Sequence, residues 1–376
     1  MLIDTLVYSD KWKVEASAIS DKEKASLVFV FGDSNVIKEE NVFNKLRKLY
    51  ANAYIVGASS AGNILGVEIN DSDVVATAVQ FEKGSVKIAT VDLTADSHVE
   101  EASEQLISQL DEDGLEHVFL LSDGLNINGS AIVRGINNAI KNVAVTGGMA
   151  GDGNRFQETW VIPNAPARRS CIVAVGFYGD DFVVSSGCFA GWTGFGSEQL
   201  ITKSSGNVLY ELDNMPVLDF YQKYLGKYGE DMASSLLRFP FSIKSRKDDP
   251  EIIRTPLTFD EKEKSITFVA DVPEGFTARL MKPRIDMLID GAKMAAEDIN
   301  QFNENQALGL IVSCTGRKSV MNELVEEELE IIEEVLGDNV QLAGFYSYGE
   351  LAPFAEDLYT CQLHNQTMTV TAIYEK

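Results

Sequence analysis

The chain has 376 residues, more than one ordinary hydrophobic core serves, so two domains or one large multilayered body is expected. A hydrophobic fraction of 45% is enough to build such cores, which excludes wholesale disorder. With 57 Asp and Glu against 32 Lys and Arg the formal charge is −25, a surface that repels phosphate backbones and anionic headgroups and so excludes nucleic acid and membranes as expected partners.

In chain order, the opening MLIDTLVYSDKWKVEAS lacks a cationic segment followed by an apolar one. No later apolar run approaches the length of a bilayer span, so a soluble, cytoplasmic protein is expected. Three strongly apolar runs, Val28–Ser34, Val118–Gly124 and Leu310–Gly316, end in small polar residues, the pattern of a buried strand turning into a helix. The helices are expected at about Lys38–Ala51, Gly129–Ile140 and Val320–Leu336. A second apolar run then breaks into glycine in each case: Tyr54–Gly62, Val143–Gly151 and Gln341–Gly349. Paired strand-like stretches follow, Val74–Phe81 with Ser85–Val91, Cys171–Phe177 with Phe182–Phe189, and Leu358–Leu363 with Thr367–Ile373, and they read as antiparallel hairpins. The fold class expected is α/β, with mixed sheets built from repeated β-α-β-β-β units and glycine-rich turns at the strand ends, where such proteins open crevices. Two copies fall in the first half of the chain and one in the second.

Between the repeats, Glu100–Leu110 and Asp286–Ile299 read as helices, and Asn207–Leu225 as a strand, a turn at Pro216 and a helix. Ser234–Pro256 carries Pro240, Pro250 and Pro256 with a charge cluster, and is the best candidate for an internal linker.

The densest collection of chemistry is Gly344–Tyr374. His364 stands where a strand begins, with Cys361 before it, Asn365, Gln366 and Thr367 after it, and Tyr346, Tyr348, Phe354 and Tyr359 upstream. An imidazole there can face a pocket, or HNQ can be ordinary turn chemistry between strands. Cys171, Cys188, Cys314 and Cys361 are scattered singly, which argues against a zinc ribbon or a redox dithiol. The turn Gly57–Gly62 contains Ser59 and Ser60, and Ser60, an acid and His364 follow the chain order of a hydrolase triad. The same turn recurs without serine at Gly147, Gly148 and Gly151, so backbone geometry explains it better than nucleophilic catalysis. Those glycines, followed by Asp152, can cradle a ligand through their N–H groups but lack the lysine of a P-loop. Arg317 and Glu350 are charges at strand ends that either hold the polar ends of a ligand or pair with each other.

Together GASSAG, GGMAGDG with its following Phe, the GW segment leading to TKSSGN, DNMPVLDFYQKYLG, CTGR, GFYSYGE and HNQT resemble the FIST family, over about Ala25 to Thr371. The resemblance implies an N-terminal module at 1–214 and a C-terminal module at 215–376. It implies a sensory protein for a small molecule, and a bacterial branch of stand-alone members binds haem and senses nitric oxide, regulating a histidine kinase or a cyclic-di-GMP enzyme. On that reading His364 is the axial ligand of a non-covalent haem b. Ser59, Gly147, Gly148, Gly151, Asp152, Arg317, Tyr346, Tyr348, Glu350, Asn365 and Thr367 are then the ligand-binding residues. A haem-free sensor of an amino acid or similar metabolite, and a Ser60 hydrolase, are the alternatives, and a homodimer is one assembly consistent with the family.

Overall fold

In the computed structural model, which describes residues 1–94, 97–226, 235–299, 306–354 and 357–376, the chain passes repeatedly between sheets before completing any of them. The first stretch gives β1 (Leu2–Tyr8), β2 (Trp12–Ser17), β3 (Leu27–Gly32), β4 (Tyr54–Ser59), β5 (Asn63–Leu65), β6 (Glu68–Asn70), β7 (Val74–Gln80) and β8 (Ser85–Asp92). The second gives β9 (Leu115–Ser122), β10 (Ala144–Met149), β11 (Val161–Pro163), β12 (Cys171–Tyr178) and β13 (Phe182–Phe189). Nine short strands, β14 to β22, lie between Thr193 and Lys282 and form a fourth sheet. The last stretch gives β23 (Ala307–Cys314), β24 (Val340–Ser347), β25 (Gly349–Phe354), β26 (Asp357–His364) and β27 (Met368–Glu375).

The first sheet runs β11-β4-β3-β7-β1-β2, the second β26-β25-β10-β9-β12-β8, and the third β13-β27-β23-β24-β5-β6. Each is centred on one repeat's parallel pair, β3/β4, β9/β10 or β23/β24, with that repeat's later strand antiparallel to the first. Each repeat also gives strands away. The β5–β6 hairpin joins the third sheet, β11 joins the first, and β25–β26 join the second. β8 and β13 pass to the second and third sheets, and the N-terminal β1 fills the matching position in the first.

The three expected hairpins therefore do not form. β7 pairs with β1 and β3 while β8 pairs with β12, and β12 with β13, and β26 with β27, part in the same way. A short turn between two apolar strands has the same sequence signature whether it closes a hairpin or rounds a corner between sheets. Burial decides it: β12 is buried along its whole length, and an incoming strand covers its free edge as well.

The helices α2 (Glu40–Leu49), α3 (Val99–Ile107), α4 (Gly129–Ala139), α5 (Val217–Leu225) and α6 (Ile285–Glu297) lie near their expected places, and a short α1 (Ser34–Ile37) that was not expected precedes them. The expected helix Val320–Leu336 is divided into α7 (Thr315–Met321) and α8 (Glu327–Leu336), because Asn322 takes a φ of 51° that no α-helix continues through. The expected linker Ser234–Pro256 is structural from residue 235 onward, Ser234 itself lying outside the described residues. Phe241 and Ile243 bury into the core of the fourth sheet with Tyr221 and Phe268, which is why this stretch folds.

The inner faces of the first three sheets share one core. Phe29 meets Phe119 edge-on at 5.5 Å, and Phe31 stacks on Phe345 at 4.7 Å, joining all three repeats. Helices cover the outer faces. The parallel pairs are drawn together by one contact made three times: a Cβ added to Gly57, Gly147 or Gly344 would lie 2.0, 1.9 or 1.9 Å from the carbonyl oxygen of Val30, Leu120 or Ile311. These glycines are the register partners of those residues in β3, β9 and β23. Gly344→Ala is expected to lose about 3 kcal/mol or more in urea unfolding, since only backbone can give way. Gly66→Ala meets nothing within 4 Å and pays only for its φ of +61°, about 1–2 kcal/mol. Equal losses for the two would show that the close approach does not limit stability.

Candidate functional site

At the ends of the parallel pairs the three glycine turns bond to one another in a ring. The N–H of Gly151 donates to Ser59 O at 2.9 Å, that of Ala61 to Tyr346 O at 2.8 Å, and that of Tyr348 to Met149 O at 3.1 Å. These positions correspond in the three repeats, two and four residues beyond Gly57, Gly147 and Gly344. The turns are thus spent on each other, and what they present outward is the loops that follow.

Two buried carboxylates shape those loops. After β9, Asp123 accepts the N–H groups of Leu125 at 3.0 Å, Asn126 at 3.2 Å and Ser170 at 2.6 Å. After β10, Asp152 accepts the N–H groups of Phe156, Gln157 and Glu158 at 2.8–2.9 Å and the Tyr348 hydroxyl. Burial alone would push the Asp152 carboxyl up, but the Tyr348 hydroxyl and those amides hold it below the usual carboxylate range. Asp152 stays ionised, and Phe156 is held at a φ of 51° with its ring parallel to Tyr348, centroids 4.7 Å apart.

Between these loops and the fourth sheet lies a cavity of about 290 Å³. Asn126, Asn128, Phe156 and Tyr348 wall it on one side, Asn207 and Thr255 on the other. No Lys, Arg, His, Asp or Glu among the described residues lines it. Thr255 is 3% exposed and its Oγ1 has no hydrogen-bond partner, a buried polar atom that a ligand or water would satisfy. Cys314 also lines the cavity, and burial pushes its thiol up, so it stays protonated and packs as an apolar group.

Behind the cavity the HNQT turn acts as a knot. Asn365 Oδ1 accepts the Thr255 N–H at 3.3 Å, Gln366 Nε2 donates to Leu237 O at 3.2 Å, and Gln366 O accepts from Trp192 Nε1 at 3.1 Å. Arg317, fully buried, pairs with Glu328 through Nε at 2.9 Å and donates to the carbonyls of Leu288 at 2.8 Å, Gln366 at 3.3 Å and Ala190. It therefore neither pairs with Glu350 nor keeps a donor for a ligand. Glu350 is equally buried, accepting from Ser347 Oγ at 2.5 Å and Thr367 Oγ1 at 2.9 Å.

Of the residues singled out in the sequence, Tyr348 lines the cavity, and Asp152 stands directly behind Tyr348. Ser59 is buried, its Oγ accepting the Trp160 N–H at 2.9 Å, while Gly147 and Gly148 pack against Leu120 and Val312 inside the sheets. Gly151 belongs to the ring of turns, and Tyr346 and Asn365 are fully buried. His364 and Thr367 line a separate cavity of about 320 Å³, beside Trp192, Ile253, Met281 and Phe354. Ser60 Oγ donates to Asn63 Oδ1, and the His364 ring bonds to Ala352 O, so the serine–histidine arrangement is not assembled. Phe156 and Asn207 stand in the family motifs, as the Phe after GGMAGDG and the last residue of TKSSGN, but were not assigned to the site, and Asn128 and Thr255 were not singled out. Asn128 carried a legible signal, an Asn-Gly start to α4 whose side chain accepts the Ala131 N–H at 3.0 Å.

The FIST N domain model matches residues 26–215 and the FIST C domain model residues 218–353. An uncharacterised protein of Methanocaldococcus jannaschii is 22% identical, over 94% of this chain and 74% of that protein. Among solved structures, cyanuric acid hydrolase from A. caulinodans aligns over 96% of this chain and 92% of its own, with 9% identity and a TM-score of 0.35.

Burial pushes the Glu350 carboxyl up to about 7 from an ordinary 4.5. The folded state then binds a proton that the unfolded chain has lost, so the group's contribution to stability falls as pH rises from about 4.5 through 7. Burial pushes His364 down to about 4 and His117 to about 3, which costs stability on acidification instead. The comparison between wild type and Glu350→Gln isolates the acid. The variant is expected to gain on the wild type by up to about 3 kcal/mol between about pH 5 and pH 8 in denaturant titrations. A pH-independent difference would mean that Glu350 does not titrate in that range.

Proposed function

The chain belongs to the FIST family, whose domains are associated with small-ligand sensing in signal transduction, and from that premise we propose that it senses a small molecule held in the 290 Å³ cavity between the glycine-turn loops and the fourth sheet. The observation that carries this reading is the unpartnered Thr255 Oγ1 on a cavity whose other walls are uncharged: asparagine amides, a protonated thiol, apolar side chains and a stacked aromatic pair. The cavity touches parts that are anchored separately. Its loops hang on Asp123 and Asp152, whereas Thr255 is tied through Asn365 to the HNQT turn. A ligand that bridges the two sides favours the arrangement in which they are closest, and that bias is what a signalling partner reads.

Thermal unfolding against a panel of uncharged and charged metabolites tests it. At least one compound is expected to raise the unfolding temperature, and Leu257→Trp is expected to abolish that shift. Leu257 lines the cavity yet is 40% exposed, so filling the space from that position should change the ligand-free stability by no more than about 0.5 kcal/mol. Full stabilisation of the filled variant would place the ligand elsewhere.

A second reading, haem at His364 with nitric oxide as the signal, is favoured by one observation. The ring's Nε2 lies 3.1 Å from Ala352 O, which fixes the proton there and leaves the lone pair on Nδ1, the nitrogen nearer Cβ that would have to hold the iron, with its second nitrogen anchored. Burial keeps the imidazole neutral, and Trp192, Met281 and Phe354 give the adjoining cavity apolar walls. Glu251 is the one charged residue lining it among the described residues, where propionates call for cations. Bound there, haem would supply an iron with an open face for a diatomic gas. A sharp Soret band that shifts with nitric oxide and is lost in His364→Ala would support a haem-based sensor coupled to a histidine kinase or cyclic-di-GMP enzyme; a broad band indifferent to the substitution would remove it.

A further inference from the structure

The first cavity also specifies a ligand chemistry, on the reading of that cavity as the sensory site. We propose that it takes an uncharged aromatic amide, with its ring against the Phe156–Tyr348 pair and its amide toward Thr255.

Charge narrows the class first. No ionisable side chain except the buried Cys314 thiol and the Tyr348 hydroxyl lines the cavity among the described residues. Behind its walls stand Asp123 and Asp152, both fully buried, with their oxygens committed to the loop amides. A carboxylate ligand would be buried beside those anions with no cation to meet it. An ammonium would find no carboxylate on the wall, since both acids are enclosed behind it. An ion of either sign gives up its water without a partner, whereas a neutral polar group gives up much less.

Hydrogen bonding narrows it further. Thr255 Oγ1 can donate to a carbonyl or accept from an N–H, and nothing in the protein occupies it. Asn128 spends its side-chain oxygen on the Ala131 N–H, which leaves its NH2 group without a partner among the described residues. Asn207 spends its NH2 group on Phe268 O at 2.8 Å, which leaves its oxygen. Asn126 has its NH2 group on Asp123 Oδ2 at 2.8 Å and presents a second free oxygen, and Thr315 adds a second hydroxyl. The wall thus holds more free amide acceptors than donors. A carboxamide, with one acceptor and two donors on a planar frame, matches that balance; a carboxylate, an acceptor only, leaves both asparagine oxygens facing it.

The remaining surface suits a flat ring. Phe156 and Tyr348 lie 12° from parallel, Phe156 is 37% exposed, and Phe268 and Met149 complete the apolar lining.

Matched pairs of small molecules test the class, with nicotinamide and benzamide set against nicotinate and benzoate in calorimetric titrations of the whole chain at about pH 7.5. The amides are expected to bind at least about tenfold more tightly than the acids of the same ring. Thr255→Val, which removes a buried hydroxyl with no partner to lose and so holds or raises stability, should weaken the amides about tenfold, and Leu257→Trp should abolish their binding. Acids that bind as tightly as amides, in a manner that Leu257→Trp blocks, would overturn the ligand class and leave the sensory cavity standing. Amide binding that Leu257→Trp does not touch would overturn the cavity as the site. No amide binding up to about 10 mM would overturn the ligand class.

Discussion

The structure depends on backbone approaching backbone where a side chain would stand in the way. In each of three repeats a glycine of the second strand lies against a carbonyl of the first, and four residues further along an N–H closes a bond to the next repeat. The two contacts are linked. The close approach sets the separation of each parallel pair, and the ring of bonds then fixes where the three pairs end relative to one another. A buried amide has to find a partner somewhere, and here the partners lie in other repeats, so no repeat is complete alone. The exchanged strands extend the same dependence outward: β8, β11, β13 and the two hairpins complete sheets begun by other parts of the chain. Stability is consequently shared, and a fault in one turn reaches all three sheets.

Much of this was legible in the sequence because it rests on local chemistry. Apolar runs ending in small polar residues gave the strands and their crossovers, and the recurrence of YIVGASSAG, VAVTGGMAG and QLAGFYSYG gave the repeat. The exchange of strands was not legible. A residue pattern records which faces a strand buries, but not whose edge it pairs with, and a corner of three or four residues looks like a hairpin turn of the same length. The FIST resemblance, carried by short motifs in a fixed order, was matched by both family models because such motifs mark the turns that the architecture cannot do without.

The site was less legible, for a physical reason visible in Arg317. A charged residue at the end of an apolar strand looks like a ligand contact, because burying it otherwise needs partners. Arg317 finds all its partners within the chain, from α6, α8, the loop after β13 and the HNQT turn, none of them near it in sequence. The same holds for Glu350, enclosed by Ser347 and Thr367, and for Ser59, spent on Trp160. Conspicuous polar residues in this family pattern hold the scaffold. The residues that line the cavity are asparagines, a threonine and a phenylalanine on loops; Phe156 and Asn207 sit inside family motifs and Asn128 at a helix start, but no charge or nucleophile marks them as a site.

On the proposed reading, that division lets a rigid core carry a responsive site. Arg317 has all its donors met inside the protein, and the groups left over around it, Gln366 Oε1, Tyr346 Oη and Glu328 Oε2, are fully buried, on residues that do not line the first cavity. Thr255 and the free ends of Asn128 and Asn207 are the opposite case: each has bonding capacity left over, on elements that different anchors hold. On the proposed reading, binding energy is gained there, by bringing the loop side and the fourth-sheet side together. A ligand so held would act on the separation of the two sides and leave their interiors alone, a bias between arrangements that needs no repacking of the core.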